Sequence, residues 1–209
     1  MNWTKYFEMM VDWKQLPAYK AEPRIDSLIG YFLPEFISEY LNEEIVGIIP
    51  ELPIRLATVK PKHEGTSFAD KSYKVDFYLL GKCGINYLIE FKTDTGSRRG
   101  EQDTYLLEAK EVGMKSLVNG ILHIASVSSY KKKYGHLLNK MKTIGILTNE
   151  NIYSGNLSEI QIIYVQPKQI EDGYRCVDFQ WISKWLDKKY GSGEFESEFA
   201  KALKKWAVD

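Results

Sequence analysis

Hydrophobic residues recur at helical spacing near the start of the chain and alternate with polar residues in the segments that follow. The helical spacing covers residues 23–41 and predicts an amphipathic helix that bends or divides at Pro34. After a turn at Pro50, alternation predicts a first strand at 52–56. A polar loop is expected to follow at 61–71.

The same two patterns predict the remaining elements. In chain order these are strands at 73–80 and 85–93 joined by a hairpin turn at 81–84, a long helix from about 101, a short helix at 136–141, a buried strand at 143–148, strands at 160–165 and 176–179, and helices at 181–189 and 196–206. Gly113 and Gly120 mark interruptions of the long helix. Through residue 148 the predicted order is α, β, β, β, α, β.

Composition adds limits on the class of protein. The 28 basic and 28 acidic residues give a net charge of zero, which excludes nucleic-acid binding through bulk positive charge and leaves local patches. Cys83 and Cys176 lie far apart without metal-ligand spacing, so we expect two free thiols. With no signal peptide at the start and no long apolar run, we expect a cytoplasmic protein with no membrane segment.

The chain contains no repeat, low-complexity tract or Pro/Gly/Ser linker, so we expect a single domain over residues 1–209. Its core is expected at 22–148, with a C-terminal α+β extension at 149–209. The C-terminal helices carry tryptophans among lysines, a pattern that fits packing onto the domain or onto a second subunit of a homodimer.

The second and third strands bring three charged residues to one face of the predicted sheet. Glu90 and Lys92 alternate with apolar residues and therefore share a face, and Asp76 takes the matching position on the neighbouring strand. A hairpin loop of residues 81–85 pairs Asp76 with Glu90, and a loop of 80–84 makes them diagonal neighbours. Either register places the two carboxylates roughly 5 to 8 Å apart.

Two carboxylates at that distance repel each other unless a cation lies between them or they share a proton. A hard divalent ion such as Mg²⁺ removes the repulsion, since it binds a few carboxylates and keeps several waters. Lys92 would then direct an ammonium group at the anion that the ion holds. Asp76, Glu90 and Lys92 around Mg²⁺ are suited to hydrolysing a phosphodiester, because metal and lysine stabilise the growing negative charge.

The Glu-x-Lys tripeptide alone carries little information, since it occurs twice, at 90–92 and at 108–110. The second copy lies in a predicted helix, where positions i and i+2 point in different directions. Only the copy at 90–92 lies on a predicted strand and follows a strand that holds an acid, Asp76.

With Val75-Asp76 and Ile89-Glu90-Phe91-Lys92, the chain resembles the PD-(D/E)XK nuclease superfamily, which includes restriction enzymes. The resemblance implies an α/β fold with a restriction-endonuclease-like αβββαβ core, in which helices flank a central mixed β-sheet. It further implies that Asp76 and Glu90 bind Mg²⁺ or Mn²⁺, that the Phe91 carbonyl adds a ligand, and that Lys92 orients the attacking water. Val75 stands where the family often has proline.

Many members of this superfamily also place an acid on the first core helix. Glu22 and Asp26 are the candidates here, and we prefer Asp26 as a metal ligand because it borders the apolar face of the predicted helix. The alternative is that both acids only favour the helix N-terminus through its dipole.

Two polar segments are candidates for nucleic-acid contacts. Arg98 and Arg99, just before the long helix, could clamp phosphate. Gln102 and Tyr105, three residues apart on one face of that helix, could support Lys92 or touch a nucleotide. A second patch contains basic and aromatic residues, namely Tyr130, Lys131, Lys132, Lys133, Tyr134, Lys140 and Lys142. The alternative for both segments is a solvated polar surface.

Together these observations favour a Mg²⁺-dependent nuclease that hydrolyses DNA. A second hypothesis is a catalytically inactive nuclease-fold module that binds nucleic acid or dimerises, in which Glu90 and Lys92 only stabilise a strand face. A third is a coincidental motif in an unrelated α/β enzyme.

Overall fold

The computed structural model describes residues 2–16, 20–94, 96, 100–154, 159–170 and 173–208. In chain order its helices and strands are α1 (Trp3–Lys14), α2 (Glu22–Leu41), β1 (Ile45–Arg55), α3 (Leu56–Val59), β2 (Ser72–Gly81), β3 (Asn86–Phe91), α4 (Gly100–Val127), α5 (Lys131–Thr143), β4 (Ile160–Gln166), β5 (Arg175–Asp178), α6 (Phe179–Tyr190) and α7 (Glu194–Trp206). A short 3-10 helix at Pro61–His63 follows α3. No helix in the described part of the chain is long and apolar enough to cross a membrane.

Five strands form one mixed sheet in the order β1-β2-β3-β4-β5. The pairs β1/β2 and β2/β3 are antiparallel, and β4/β5 is parallel. Between β3 and β4, the Asn86 amide donates to the Glu159 carbonyl and the Lys92 amide donates to the Val165 carbonyl. Both strands therefore advance in the same direction, so this pair is also parallel. The expected α/β fold, a mixed sheet flanked by helices, is confirmed.

The chain divides into two compact units, each built from separate segments. The first comprises Met1–Phe36, Glu90–Arg98 and Ile163–Asp209, and the second comprises Ile37–Ile89 and Arg99–Ile162. In the first unit, aromatic rings from α1, α2, α6 and α7 pack together: Phe7, Phe32, Trp185, Phe195 and Phe199. In the second unit, β1, β2 and α4 contribute buried apolar side chains: Ile49, Leu52, Ile54, Val75, Leu79, Leu117 and Ile121.

The hydrophobic pattern predicts helix α2 correctly but misplaces the start of the strand that follows it. The predicted helix is confirmed as α2, with Pro34 inside a single helix. The predicted turn at Pro50 is wrong, because Pro50 lies within β1 opposite Phe77 of β2. Proline is tolerated there because β1 is an edge strand, where a missing N–H need not disrupt the ladder.

The predicted buried strand at 143–148 is also wrong. Thr143 ends α5, and Ile146 and Leu147 are buried in an irregular segment in which Leu147 forms one isolated bridge with Tyr153. A short apolar run indicates burial without specifying strand pairing. The strand that pairs with β3 is β4, where a strand was also predicted.

Helix α4 confirms one predicted interruption and not the other. Gly113 has φ 74°, a left-handed conformation that glycine adopts readily, and it kinks the helix. Gly120 continues the helix, and an added Cβ there would overlap Thr58 Oγ1 and lie 3.1 Å from Arg55 Cβ. Its glycine is required by close packing on α3 and β1. Helix α1 was not predicted.

Candidate active site

Strand β3 carries two charged residues into a buried environment. Every residue of Asn86–Phe91 is buried, and the strand is the central one of the five in the sheet. The Glu90 side chain is fully buried, and that of Lys92, the next residue after the strand, is 3% exposed. Ionised groups in such a position are stable only when they are paired and hydrogen-bonded.

The Lys92 ammonium lies close to oxygen atoms of Glu90, Glu22 and Phe91. Its Nζ lies 3.3 Å from Glu90 Oε2, 3.7 Å from Glu22 Oε1 and 2.8 Å from the Phe91 carbonyl oxygen, to which it donates. We call Glu22, Glu90, Lys92 and the Phe91 carbonyl the Lys92 cluster. With both acids and the lysine ionised, the side chains of the cluster carry a formal charge of −1.

Helix α2 supplies the third charge of the cluster. Glu22 is the first residue of this helix. The Glu22 side chain is 36% exposed, so its carboxylate contacts both solvent and the buried Lys92 ammonium. Asp26, the preferred first-helix acid, lies one turn further along and accepts a hydrogen bond from the Ser27 amide. The structure therefore brings Glu22 to Lys92.

The β2/β3 register bears on the predicted position of Asp76. Leu80 pairs with Asn86 and Phe77 with Ile89, which is the register of a hairpin loop at 81–85. Asp76 is the residue before Phe77, and its side chain is partly exposed. This register is one of the two that the sequence predicts for the hairpin.

The donor set of the Lys92 cluster is chemically suited to Mg²⁺. Carboxylate and carbonyl oxygens are the ligands this ion prefers, and it is usually held by one or two carboxylates together with waters and substrate phosphate. Among the described residues, no three His, Cys, Asp or Glu side chains gather as a complete metal-binding group. Glu90 and Glu22 are the carboxylates of the cluster that would hold such a cation, and the Phe91 carbonyl is its further oxygen donor.

The predicted nucleic-acid contacts near the start of α4 have different surroundings. Tyr105 is buried, its ring stacks on Tyr73 with centroids 4.6 Å apart, and its hydroxyl donates to the Lys74 carbonyl. These contacts give Tyr105 a packing role in the second unit. Gln102 is partly exposed, and Arg98 and Arg99 lie outside the described residues.

The lysines at the start of α5 also differ from one another. Lys131 donates from Nζ to the carbonyls of Ala125 and Ser126 in the last turn of α4. This contact satisfies two carbonyls that a helix end leaves without intrahelical partners. Lys132 and Lys133 are exposed, and Lys133 lines a groove of about 680 Å³.

We call this feature the α5 groove. Its lining residues come from β1, β2, α5 and the residue preceding α5: Ile49, Pro50, Glu51, Pro53, Lys74, Tyr130, Lys133, Tyr134, His136, Leu137 and Lys140. The basic and aromatic residues near 130–142 were predicted from the sequence, whereas the lining residues on β1 and β2 were not. The predicted helix at 136–141 was too short to show that residues 130, 133, 134, 137 and 140 share one face of a helix.

Comparisons of the chain with protein-family models, with curated proteins and with solved structures found no significant match.

Proposed function

We propose that the protein is a Mg²⁺-dependent nuclease that hydrolyses DNA phosphodiester bonds. The observation that carries the proposal is the Lys92 cluster, in which a buried lysine is held by two carboxylates and a carbonyl. A fully buried carboxylate beside a buried ammonium is costly to maintain, and such groups concentrate at functional sites.

The finer fold assignment forms part of this proposal. We infer that α2, β1, β2, β3, α4 and β4 correspond to a restriction-endonuclease-like αβββαβ core. Asp76 is proposed as the second strand carboxylate, supported by the pairing of Phe77 with Ile89. Glu22 is proposed as the first-helix acid in place of Asp26, because Glu22 lies beside Lys92.

Each residue then has a chemical role. A bound Mg²⁺ would supply an acidified water and stabilise charge on the phosphate oxygens. Glu90, Asp76 and Glu22 would provide the negative charge that holds the cation, and the Phe91 carbonyl would be a further oxygen donor. The Lys92 ammonium stabilises negative charge that develops on the attacking or phosphate oxygen. Arg98 and Arg99 are predicted to contact DNA phosphates, and Gln102 is predicted to support Lys92 or to contact a nucleotide.

A cleavage assay tests the proposal directly. Single-stranded, duplex and branched DNA are incubated with the protein and Mg²⁺ or Mn²⁺, and Glu90→Gln and Lys92→Met are compared with the wild type. We expect each substitution to lower the cleavage rate by about 100-fold or more, the size typical of removing one preorganised electrostatic group. Glu22→Gln is expected to reduce cleavage more than Asp26→Asn.

The second Glu-x-Lys tripeptide offers matched controls. Glu108→Gln and Lys110→Ala remove the same residue types from α4, and both are expected to leave the cleavage rate near the wild-type value. Circular dichroism is measured for each variant, and cleavage rates are compared only among variants that keep the wild-type spectrum. Equal cleavage by the wild type, Glu90→Gln and Lys92→Met would contradict the proposal, because cleavage would then not depend on the Lys92 cluster. The absence of cleavage in the wild type would contradict it as well and would favour the inactive module.

A further inference from the structure

The α5 groove combines exposed aromatic rings with positive charge. One wall is a face of α5, on which Lys133, Leu137 and Lys140 follow at helical spacing. Tyr130, immediately before the helix, is 66% exposed, and Lys133 Nζ lies 5.8 Å from the centre of its ring. An exposed ring next to a lysine is available for stacking on a ligand.

The opposite wall comes from the edge strand β1 and from β2. Lys74 and Glu51 form an ion pair of 3.5 Å in which both side chains are more than half exposed. Such exposed pairs contribute little free energy, so Lys74 can exchange this partner for a ligand anion at small cost. Glu51 has φ 54°, a conformation that is uncommon for residues other than glycine and that occurs more often at functional sites.

The charge of the groove selects the class of ligand. Lys74, Lys133 and Lys140 outnumber the single acid, Glu51, so the lining carries a formal charge of +2 with His136 neutral. The volume of about 680 Å³ lies in the range of small-molecule sites, enough for one or two nucleotides. Rings interspersed with lysines match a strand in which unpaired bases alternate with phosphates. A duplex keeps its bases stacked inside and offers only its phosphates.

We propose that the α5 groove binds single-stranded nucleic acid, with Lys133, Lys140 and Lys74 contacting phosphates and Tyr130 stacking on a base. The choice of nucleic acid as the ligand rests on the proposed nuclease function. The site itself is separate in its residues, because none of its lining side chains belongs to the Lys92 cluster.

Fluorescence anisotropy with a labelled oligothymidylate of about 12 nucleotides tests this inference, since single-strand sites span roughly 4 to 16 nucleotides. The titration is carried out with EDTA, so that binding is measured without metal-dependent cleavage. We expect Tyr130→Ala to weaken binding about tenfold through the loss of one stacked base, and Tyr130→Phe to restore the wild-type affinity.

Two neighbouring lysines provide a matched charge comparison. Lys133 lines the groove, whereas Lys132 is exposed on the same helix and is not part of the lining. We expect Lys133→Glu to weaken binding and to reduce the slope of log affinity against log salt by about 0.7, the loss of one single-strand phosphate contact. Lys132→Glu makes the same change in net charge and is expected to have a smaller effect on both quantities.

Competitors identify the occupant. Unlabelled oligothymidylate is expected to displace the probe better than duplex DNA or inorganic polyphosphate, and oligouridylate shows whether RNA also binds. Equal effects of Lys132→Glu and Lys133→Glu, an unchanged affinity of Tyr130→Ala, or better competition by duplex or polyphosphate would each overturn the inference. If the protein binds the oligonucleotide with EDTA but does not cleave DNA with Mg²⁺, only the nuclease proposal is rejected. If it cleaves DNA with Mg²⁺ but does not bind the oligonucleotide with EDTA, only the proposed binding site in the α5 groove is rejected.

Discussion

At the scale of single residues, the most unusual feature of β3 is the buried ion pair of Glu90 and Lys92. Glu90 and Lys92 lie 3.3 Å apart, and neither side chain is more than 3% exposed. A buried ion pair adds little net stability, because the loss of hydration offsets the attraction between the charges. Removing one partner has a large effect, since the other charge then stays buried without it.

This asymmetry predicts a strong energetic coupling between the two residues. We expect Lys92→Met to lower the free energy of unfolding by about 3 to 5 kcal/mol, and the double variant Glu90→Gln/Lys92→Met to recover part of that loss. Urea unfolding at neutral pH measures each value. The exposed pair Lys82 and Glu44, 2.6 Å apart, is the control, and its coupling is expected to stay below about 1 kcal/mol. The expectation would be contradicted if the double variant lost as much free energy of unfolding as the two single variants lose together.

At the scale of elements, most helices and strands follow from local patterns. The strands β2 and β3 and the helices α6 and α7 were predicted close to their observed bounds, because their apolar residues repeat with the period of the element. The errors at Pro50 and at 143–148 arose where the outcome depends on pairing with distant residues. An edge strand tolerates a proline, and a buried run need not join a sheet.

Two glycines on different helices provide a prediction about packing. Gly120 of α4 faces Thr58 and Arg55, whereas an added Cβ at Gly135 of α5 meets no atom within 4 Å. We expect Gly135→Ala to raise the free energy of unfolding by up to about 1 kcal/mol through helix propensity. Gly120→Ala is expected to lower it by about 1 kcal/mol or more, because overlap outweighs propensity. Thermal or urea unfolding measures both changes, and stabilisation by Gly120→Ala would disprove the packing argument.

At the scale of the whole molecule, ionised carboxylates make stability depend on pH. The Arg55 guanidinium holds the pKa of Glu64 and of Asp70 below its ordinary value, and hydrogen bonds from Lys189 and Tyr190 do the same for the pKa of Glu35. A group with a lowered pKa binds fewer protons in the folded chain than in the unfolded chain. Acid therefore favours unfolding.

We expect the stability contributed by these groups to be fully present above the ordinary carboxyl pKa values of about 4 and to be lost as the pH falls through the lowered values. Urea unfolding between neutral and acid pH measures this loss. Arg55→Met, which removes the partner of Glu64 and Asp70, is expected to make the acid loss smaller than in the wild type. Lys132→Met, at an exposed lysine of α5, is the control. The prediction would be refuted if acid lowered the free energy of unfolding equally in Arg55→Met and in the wild type.

The candidate site was predictable only in part. Alternation on β3 identified Glu90 and Lys92 as neighbours on one face, because the two-residue period of a strand is local. The choice between Glu22 and Asp26 could not be made locally, since both lie on the same helix and only its packing decides which acid meets Lys92. The packing role of Tyr105 could not be predicted locally either, because its hydroxyl and ring contact residues of β2.

By itself, the sequence determined the α/β class, the strands β2 and β3 that carry Asp76 and Glu90, and the neutral charge balance, because these depend on periodicity and composition. Only the tertiary structure decided that Glu22 reaches Lys92, that Lys131 caps α4 and that Lys133 and Lys140 face β1 across a groove. Residue patterns act over a few positions, whereas these contacts join segments that are distant in the chain and meet only when the core packs.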